Sequence, residues 1–186
     1  MRSFLGIDFN ENLKKEIYRL QQKLRKFSIR GRWKHSDNFH LTLKFLNEIT
    51  DSQKKQIDDI IGKICAETAP FNISIKNMGT FNGRTPDSIR VLWLGLAGEL
   101  EKLNSLNKNT EEAMTKIGFP AEKKGFNPHI TLGQDIIPAG DFAAMQKQFG
   151  EIDLGTVKVD KLFLFKSEQI ENKRIYTAIS EYKFKQ

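Results

Sequence analysis

The sequence predicts an α+β fold in two halves related by a rough twofold, and three observations carry that prediction. Segments with strand-like alternation come in pairs interleaved with amphipathic helices, which favours largely antiparallel sheets over a doubly wound parallel fold. The tetrapeptide His40-Leu41-Thr42-Leu43 returns 89 residues later as His129-Ile130-Thr131-Leu132, with Phe39 ahead of the first copy and Phe126 ahead of the second. The chain has 186 residues, 39% of them hydrophobic and 28% charged. That suffices for one domain over residues 1–186 without a disulfide staple.

The elements follow in order. Ser3 to Phe9 reads as a strand. Asn10 then caps a helix whose apolar stripe is Leu13, Ile17, Leu20, Leu24 and Phe27. Residues 38 to 46 alternate, with Phe39, Leu41, Leu43 and Phe45 on one face and His40, Thr42 and Lys44 on the other. Thr50 and Gln53 form a capping box ahead of a helix through Ile57, Ile60, Ile61 and Ile64. Cys65 beside that stripe reads as a packed thiol. Phe71 to Met78 and Ile89 to Leu96 read as strands around a Gly/Pro loop from Gly79 to Pro86. A long helix covers residues 98–118 and ends at Gly118 and Pro120. Pro128 to Gly133 is a short strand, Asp141 to Phe149 a brief helix, and Val157 to Phe165 and Arg174 to Phe184 are the closing strands.

Composition narrows the partners. Lys and Arg number 30 against 23 Asp and Glu, a net charge of +7. That balance favours an anionic partner, nucleic acid first and a membrane surface second. The single Cys fits a cytoplasmic location, and no secretory, lipidation or membrane-spanning pattern is read. No membrane association is expected.

The doubled His-x-Thr carries the chemistry. In a strand, residues i and i+2 share a face about 6–7 Å apart. An imidazole and a hydroxyl therefore point together, while Leu41 and Ile130 anchor the opposite face. Two such strands present two His and two Thr to one cleft. Histidine titrates near neutral pH, so one ring can hold a proton while the other accepts one. The Thr hydroxyls can donate to the oxygens of a bound anion, and opposed acid and base suit in-line displacement at phosphorus. A lone strand histidine is ordinarily packed or solvated; the doubling is what argues otherwise. Two His without Cys or carboxylates at ligand spacing make a poor zinc set, so no metal and no cofactor are expected. His35 has no Thr partner and reads as a surface residue.

A basic-aromatic stretch, Arg30-Gly31-Arg32-Trp33-Lys34, precedes the first motif, and Lys123 and Lys124 precede the second. Its cations can hold a phosphate backbone, and Trp33 or Phe126 can stack a base. A solvated loop with Trp33 in the core is an equal reading of the same residues.

Taken together, RSFLGIDF, Trp33 followed after six residues by HLTLKFL, MGTF, VLWLGL, FNPHITLG, LFLFKS and RIYTAIS resemble the two-histidine (2H) phosphoesterases over nearly the whole chain. Within that superfamily the chain is similar to the RNA 2′,3′-cyclic phosphodiesterases, the LigT-like or ThpR proteins. The resemblance implies a bilobal α+β fold, two mainly antiparallel sheets with outer helices related by a pseudo-twofold around a central cleft. It implies metal-independent opening of the 2′,3′-cyclic phosphate of RNA or a nucleotide to a 2′-phosphate, and in some members 2′-5′ joining of RNA ends. By position, His40 corresponds to the proton donor and His129 to the proton acceptor, with Thr42 and Thr131 as phosphate-binding hydroxyls. Arg32, Trp33, Lys44, Phe126 and Gln134 are candidate substrate-binding residues. Two positions depart from the family pattern: Gln134 stands where Arg is frequent, and Asn47 where Gly is. A monomer is expected. The competing classes are a catalytically idle RNA-end-binding module and a phosphoesterase for a small cyclic phosphate such as ADP-ribose 1″,2″-cyclic phosphate.

Overall fold

The computed structural model describes residues 1–83 and 88–185. The elements are β1 (Arg2–Asp8), α1 (Glu11–Arg25), β2 (Ser28–Trp33), β3 (His40–Glu48), α2 (Asp51–Glu67), β4 (Phe71–Asn82), β5 (Ile89–Gly98), α3 (Leu100–Lys116), β6 (Ile130–Pro138), α4 (Phe142–Phe149), β7 (Asp153–Val159), β8 (Lys161–Ile170) and β9 (Lys173–Lys183). Short polar side chains start three of the helices. Asn10 accepts from the Leu13 amide, Thr50 and Gln53 close a capping box, and Asp141 accepts from the Ala143 amide. Each satisfies amide donors that the first helical turn leaves unpaired.

The α+β expectation holds. Every strand pairing is antiparallel, and the two expected sheets are the halves of one sheet in the order β7-β4-β5-β6-β3-β1-β8-β9, with β2 beside β6. The halves meet where Leu41 pairs with Ile130. Both side chains are fully buried, as are Phe39 and Leu132 beside them. Burying residues of this kind contributes roughly 1.5–3 kcal/mol each, which fixes the junction.

The 89-residue spacing extends beyond the His motifs. Shifting by 89 carries β1 onto β5, α1 onto α3, β3 onto β6 and β4 onto β8 within a few residues, and the start of α2 onto the start of the shorter α4. The two repeats exchange their last strands. β4 of the first pairs with β5 of the second, and β8 of the second pairs with β1 of the first.

Four local expectations are corrected. The basic stretch at 28–33 is a strand, β2, paired with β6 through Arg32–Gln134 and Trp33–Gly133. The expected single strand over 157–165 is two, broken at Asp160, because β7 pairs with β4 in one half and β8 with β1 in the other. Gly79 to Asn82, expected as loop, continue β4; the loop residues 84–87 lie outside the described residues. Gly79 is fixed by its neighbour, since a Cβ there would come within 2.3 Å of the Trp93 ring.

The fourth correction concerns β3, which does not alternate to its end. Gly6 pairs with Thr42 and the next residue back, Leu5, pairs with Lys44, so Leu43 is an extra residue. The bulge reverses the faces beyond it. Lys44 is buried at 5% exposure and Phe45 stands out at 61%. A second irregularity follows, and there Asn47 takes φ +57. Asn tolerates that left-handed conformation better than most side chains, which accounts for Asn at a position where Gly is usual in the family resembled.

Candidate active site

β3 and β6 each carry one His-x-Thr. The antiparallel pairing of Leu41 with Ile130 sets Thr42 across from His129 and His40 across from Thr131. All four side chains are half-buried. The four residues singled out by the repeat are therefore brought together.

The two imidazoles are tethered alike. His40 Nδ1 lies 2.7 Å from the Asn38 carbonyl oxygen, and His129 Nδ1 lies 2.7 Å from that of Asn127. A carbonyl only accepts, so each Nδ1 holds the proton and donates it. Nε2 is then the atom left for chemistry. His40 Nε2 is 3.0 Å from Thr42 Oγ1.

Aromatic walls hold both rings. Phe4 lies 4.6 Å from the His40 ring centre, and Tyr176 meets it edge-on at 5.1 Å. Phe81 meets His129 edge-on at 5.2 Å, with Trp93 at 6.2 Å. These surroundings disfavour imidazolium. Burial, and next the charge of Lys34, bring the His40 pKa down to about 3. Burial lowers His129 too, against the pull of the Asn127 carbonyl. The Lys34 ammonium donates to the Tyr176 hydroxyl at 2.9 Å.

Beside the motifs opens a cleft of about 870 Å³, whose walls include Thr42, Phe45, Lys108, Lys124, Phe126 and His129. Its size falls within the range of small-molecule sites, ~300–1,000 Å³. Among the described residues no three His, Cys, Asp or Glu side chains are grouped to hold a metal ion, and no helix is long and apolar enough to cross a membrane.

The remaining sequence candidates divide. Phe126 lines the cleft. Lys44 also borders it, but its ammonium is held by Glu111 Oε1 at 2.7 Å and by the Pro120 carbonyl at 2.9 Å, so it anchors the wall. Arg32 is mostly exposed and ion-paired with Asp135. Trp33 packs, half-buried, against the main core. Gln134 pairs with Arg32 and Val91 on the flanking strands. Arg32, Trp33 and Gln134 do not line the cleft. His35 is exposed. Cys65 is buried, its thiol pushed up to about 12 by desolvation.

Sequence reasoning missed Phe4, Tyr176, Phe81, Trp93 and the outward Phe45. The ring contacts on the histidines come from strands distant in sequence and carry no local signal. Phe45 carries a misleading one.

Comparison with known proteins adds to this geometry. The family described as LigT like Phosphoesterase matches residues 7–93 and again 94–176, one match to each repeat. A Methanocaldococcus jannaschii protein named RNA 2′,3′-cyclic phosphodiesterase is 31% identical over 187 residues, covering 98% of this chain and 100% of its own. One of the same name from Methanothermobacter thermautotrophicus is 27% identical over 185 residues, covering 98% of each. Among solved structures, E. coli LigT complexed with 3′-AMP superposes with a TM-score of 0.82 at 24% identity, over 100% of this chain and 98% of that one. A Thermus thermophilus protein gives 0.81 at 22% identity, over 99% and 98%. These likenesses support the fold.

Proposed function

The chain belongs to the LigT-like phosphoesterase family, and from that premise we propose that it hydrolyses the 2′,3′-cyclic phosphate of an RNA or nucleotide end to a 2′-phosphate. One observation carries the reading. Two histidines on strands that meet at the Leu41–Ile130 bridge are each tethered through Nδ1 to the carbonyl two residues upstream, which makes Nε2 the proton-exchanging nitrogen of both; His129 lines the cleft, and His40 Nε2 contacts Thr42, which lines it too.

In the proposed reaction the phosphate lies between the two strands. Thr42 and Thr131 donate their hydroxyl protons to its nonbridging oxygens. His129, neutral before reaction, accepts a proton from water at Nε2 as the water oxygen attacks phosphorus. The bond from phosphorus to the 3′ oxygen breaks, and His40 Nε2 gives that oxygen its proton. The product keeps the phosphate on the 2′ oxygen. With a 5′-hydroxyl in place of water, the same displacement joins two ends through a 2′-5′ linkage.

Electrostatics gives the cycle a condition. Burial and Lys34 keep His40 neutral near pH 7. A bound phosphate offsets the Lys34 charge, so His40 takes up its proton as the substrate arrives.

The deciding experiment incubates the protein with RNA ending in a 2′,3′-cyclic phosphate, with and without EDTA, and identifies the phosphate isomer formed. A 2′-phosphate at an EDTA-insensitive rate is expected. Binding without turnover, a 3′-phosphate product, or loss in EDTA restored by zinc would overturn the reading.

A further inference from the structure

The basic stretch ahead of the first motif ends in a cation that the cleft does not use. Lys34 follows β2 directly. Its amide donates to the Leu132 carbonyl at 2.9 Å, and the buried Gln21 side chain donates to the carbonyls of both residues. The backbone is thereby fixed, and the half-buried side chain reaches across to β9. Its ammonium donates to the Tyr176 hydroxyl at 2.9 Å and stands 5.0 Å from the centre of that ring. Tyr176 in turn meets the His40 ring edge-on at 5.1 Å. Among the described residues no carboxylate pairs with Lys34, and Asp37, the acid nearest to it in sequence, faces His35.

A phenol accepts through its oxygen and donates through its one hydrogen. Here Lys34 takes the acceptor role, so the Tyr176 hydrogen is left for a further partner, as are the other ammonium hydrogens. Arg174, exposed and two residues back on β9, shares the Tyr176 face and is likewise without a carboxylate among the described residues. Donors gathered without a matching acceptor are the makeup of an anion site. Neither Lys34 nor Tyr176 lines the cleft bordered by Thr42 and His129, so the anion they suit is not the reacting phosphate. Resting on the reading above, we propose that Lys34 and Tyr176, with Arg174 beside them, bind the phosphodiester on the 5′ side of the terminal nucleotide. In RNA that is the anion next to the cyclic phosphate; a free cyclic nucleotide has none in its place. The contact carries no base information and seats the end of the chain against His40. The site therefore favours RNA ends over free cyclic nucleotides.

The test compares three substrates: the dinucleotide ApA ending in a 2′,3′-cyclic phosphate, the same dinucleotide with an uncharged methylphosphonate linkage, and 2′,3′-cyclic AMP. A charge-assisted contact of this kind is equivalent to about 10- to 100-fold in affinity. The parent should show a KM lower by that factor for the charged dinucleotide than for the other two. Lys34→Met should erase the difference, Lys34→Arg should keep most of it, and Tyr176→Phe should reduce it. Loss of the Lys34 charge reaches His40 with every substrate, so the ratio of KM values isolates the contact. No preference for the charged linkage in the parent, or a ratio unchanged in Lys34→Met, overturns the proposal. Calorimetry with ApA 2′-phosphate against 2′-AMP reads the site without turnover. Lys34→Met should weaken the dinucleotide more than 2′-AMP by the same factor; equal weakening of both assigns Lys34 to the reacting phosphate and overturns the site. Failure of hydrolysis therefore counts against the proposed reaction, and failure of the linkage dependence against the phosphodiester site.

Discussion

Leu41 and Ile130 face each other across the bridge between β3 and β6, and both are completely buried. Each is flanked in sequence by the His and Thr of its own motif. One apolar contact in the core therefore sets the spacing of the four polar groups of the two motifs. Register in a strand is all or nothing, because a slip of one residue turns every side chain to the other face.

The histidines should act as a coupled pair. Replacing His40 or His129 by Ala is expected to cost about 10²–10⁴-fold in kcat. The double variant should lose far less than the product, since either loss already disables the acid–base relay. Single-turnover hydrolysis by the three variants measures this, and near-normal turnover without His129 would remove it from the mechanism.

Nucleotide binding should take up a proton. Burial and the Lys34 charge keep His40 neutral near pH 7, and an adjacent phosphate dianion raises its basicity. Calorimetry of 2′-AMP binding in buffers of different ionisation enthalpy should show uptake near pH 7, with affinity falling as pH rises. His40→Gln should abolish the uptake.

The same ring should shape acid stability. Its pKa falls from 6.5 in the unfolded chain to about 3 on folding. The folded chain therefore binds this proton more weakly, and stability is lost as pH drops from 6.5 toward 3. Between pH 7 and pH 4 the difference in unfolding free energy between the parent and His40→Gln should narrow by about 3 kcal/mol. Urea titrations at both pH values test it, and parallel pH curves would contradict it.

Lys44 should matter for the wall of the cleft and not for the phosphate. Its side chain is 3% exposed and that of Glu111 is 23% exposed. Lys44→Met leaves the carboxylate without its cation, at a cost of about 2–3 kcal/mol. Lys44→Met with Glu111→Leu should lose less than the two single changes summed. Denaturation midpoints give both numbers.

RNA affinity should follow the cations of the cleft. Arg90, Lys108 and Lys124 border it, whereas Arg32 is bound to Asp135 on the outside of β2. Changing the first three to Gln should lower the log–log salt slope of RNA binding by up to about 2. Arg32→Gln should leave it nearly unaltered, so the basic stretch at 30–34 does not act as one unit.

The helices were legible because their signals are local: a cap at Asn10, Thr50 or Asp141 and an apolar stripe behind it. The His and Thr residues were legible because the motif is doubled. β2 was hidden because Arg30-Gly31-Arg32 has no apolar alternation; its partner β6 makes it a strand. The break at Asp160 was hidden because apolar residues resume at Leu162 after only Asp160 and Lys161. Lys44 and Phe45 were read on the wrong faces because the bulge is a property of the pairing with Leu5 and Gly6, not of β3 alone.

The exchange of end strands also sets an order of events at the ribosome. Residues 71–159 hold β4, β5, β6 and β7 and can complete their half of the sheet while the chain is still emerging. The other half needs β1 from the start of the chain and β8 and β9 from its end. Until residues 161–170 are made, β1 keeps an open edge, and Phe4 lacks the Phe163 and Phe165 rings it packs against. A chain released early, without those strands, presents an unpaired edge and a bare aromatic face together. That is the combination that draws unfinished proteins into aggregates.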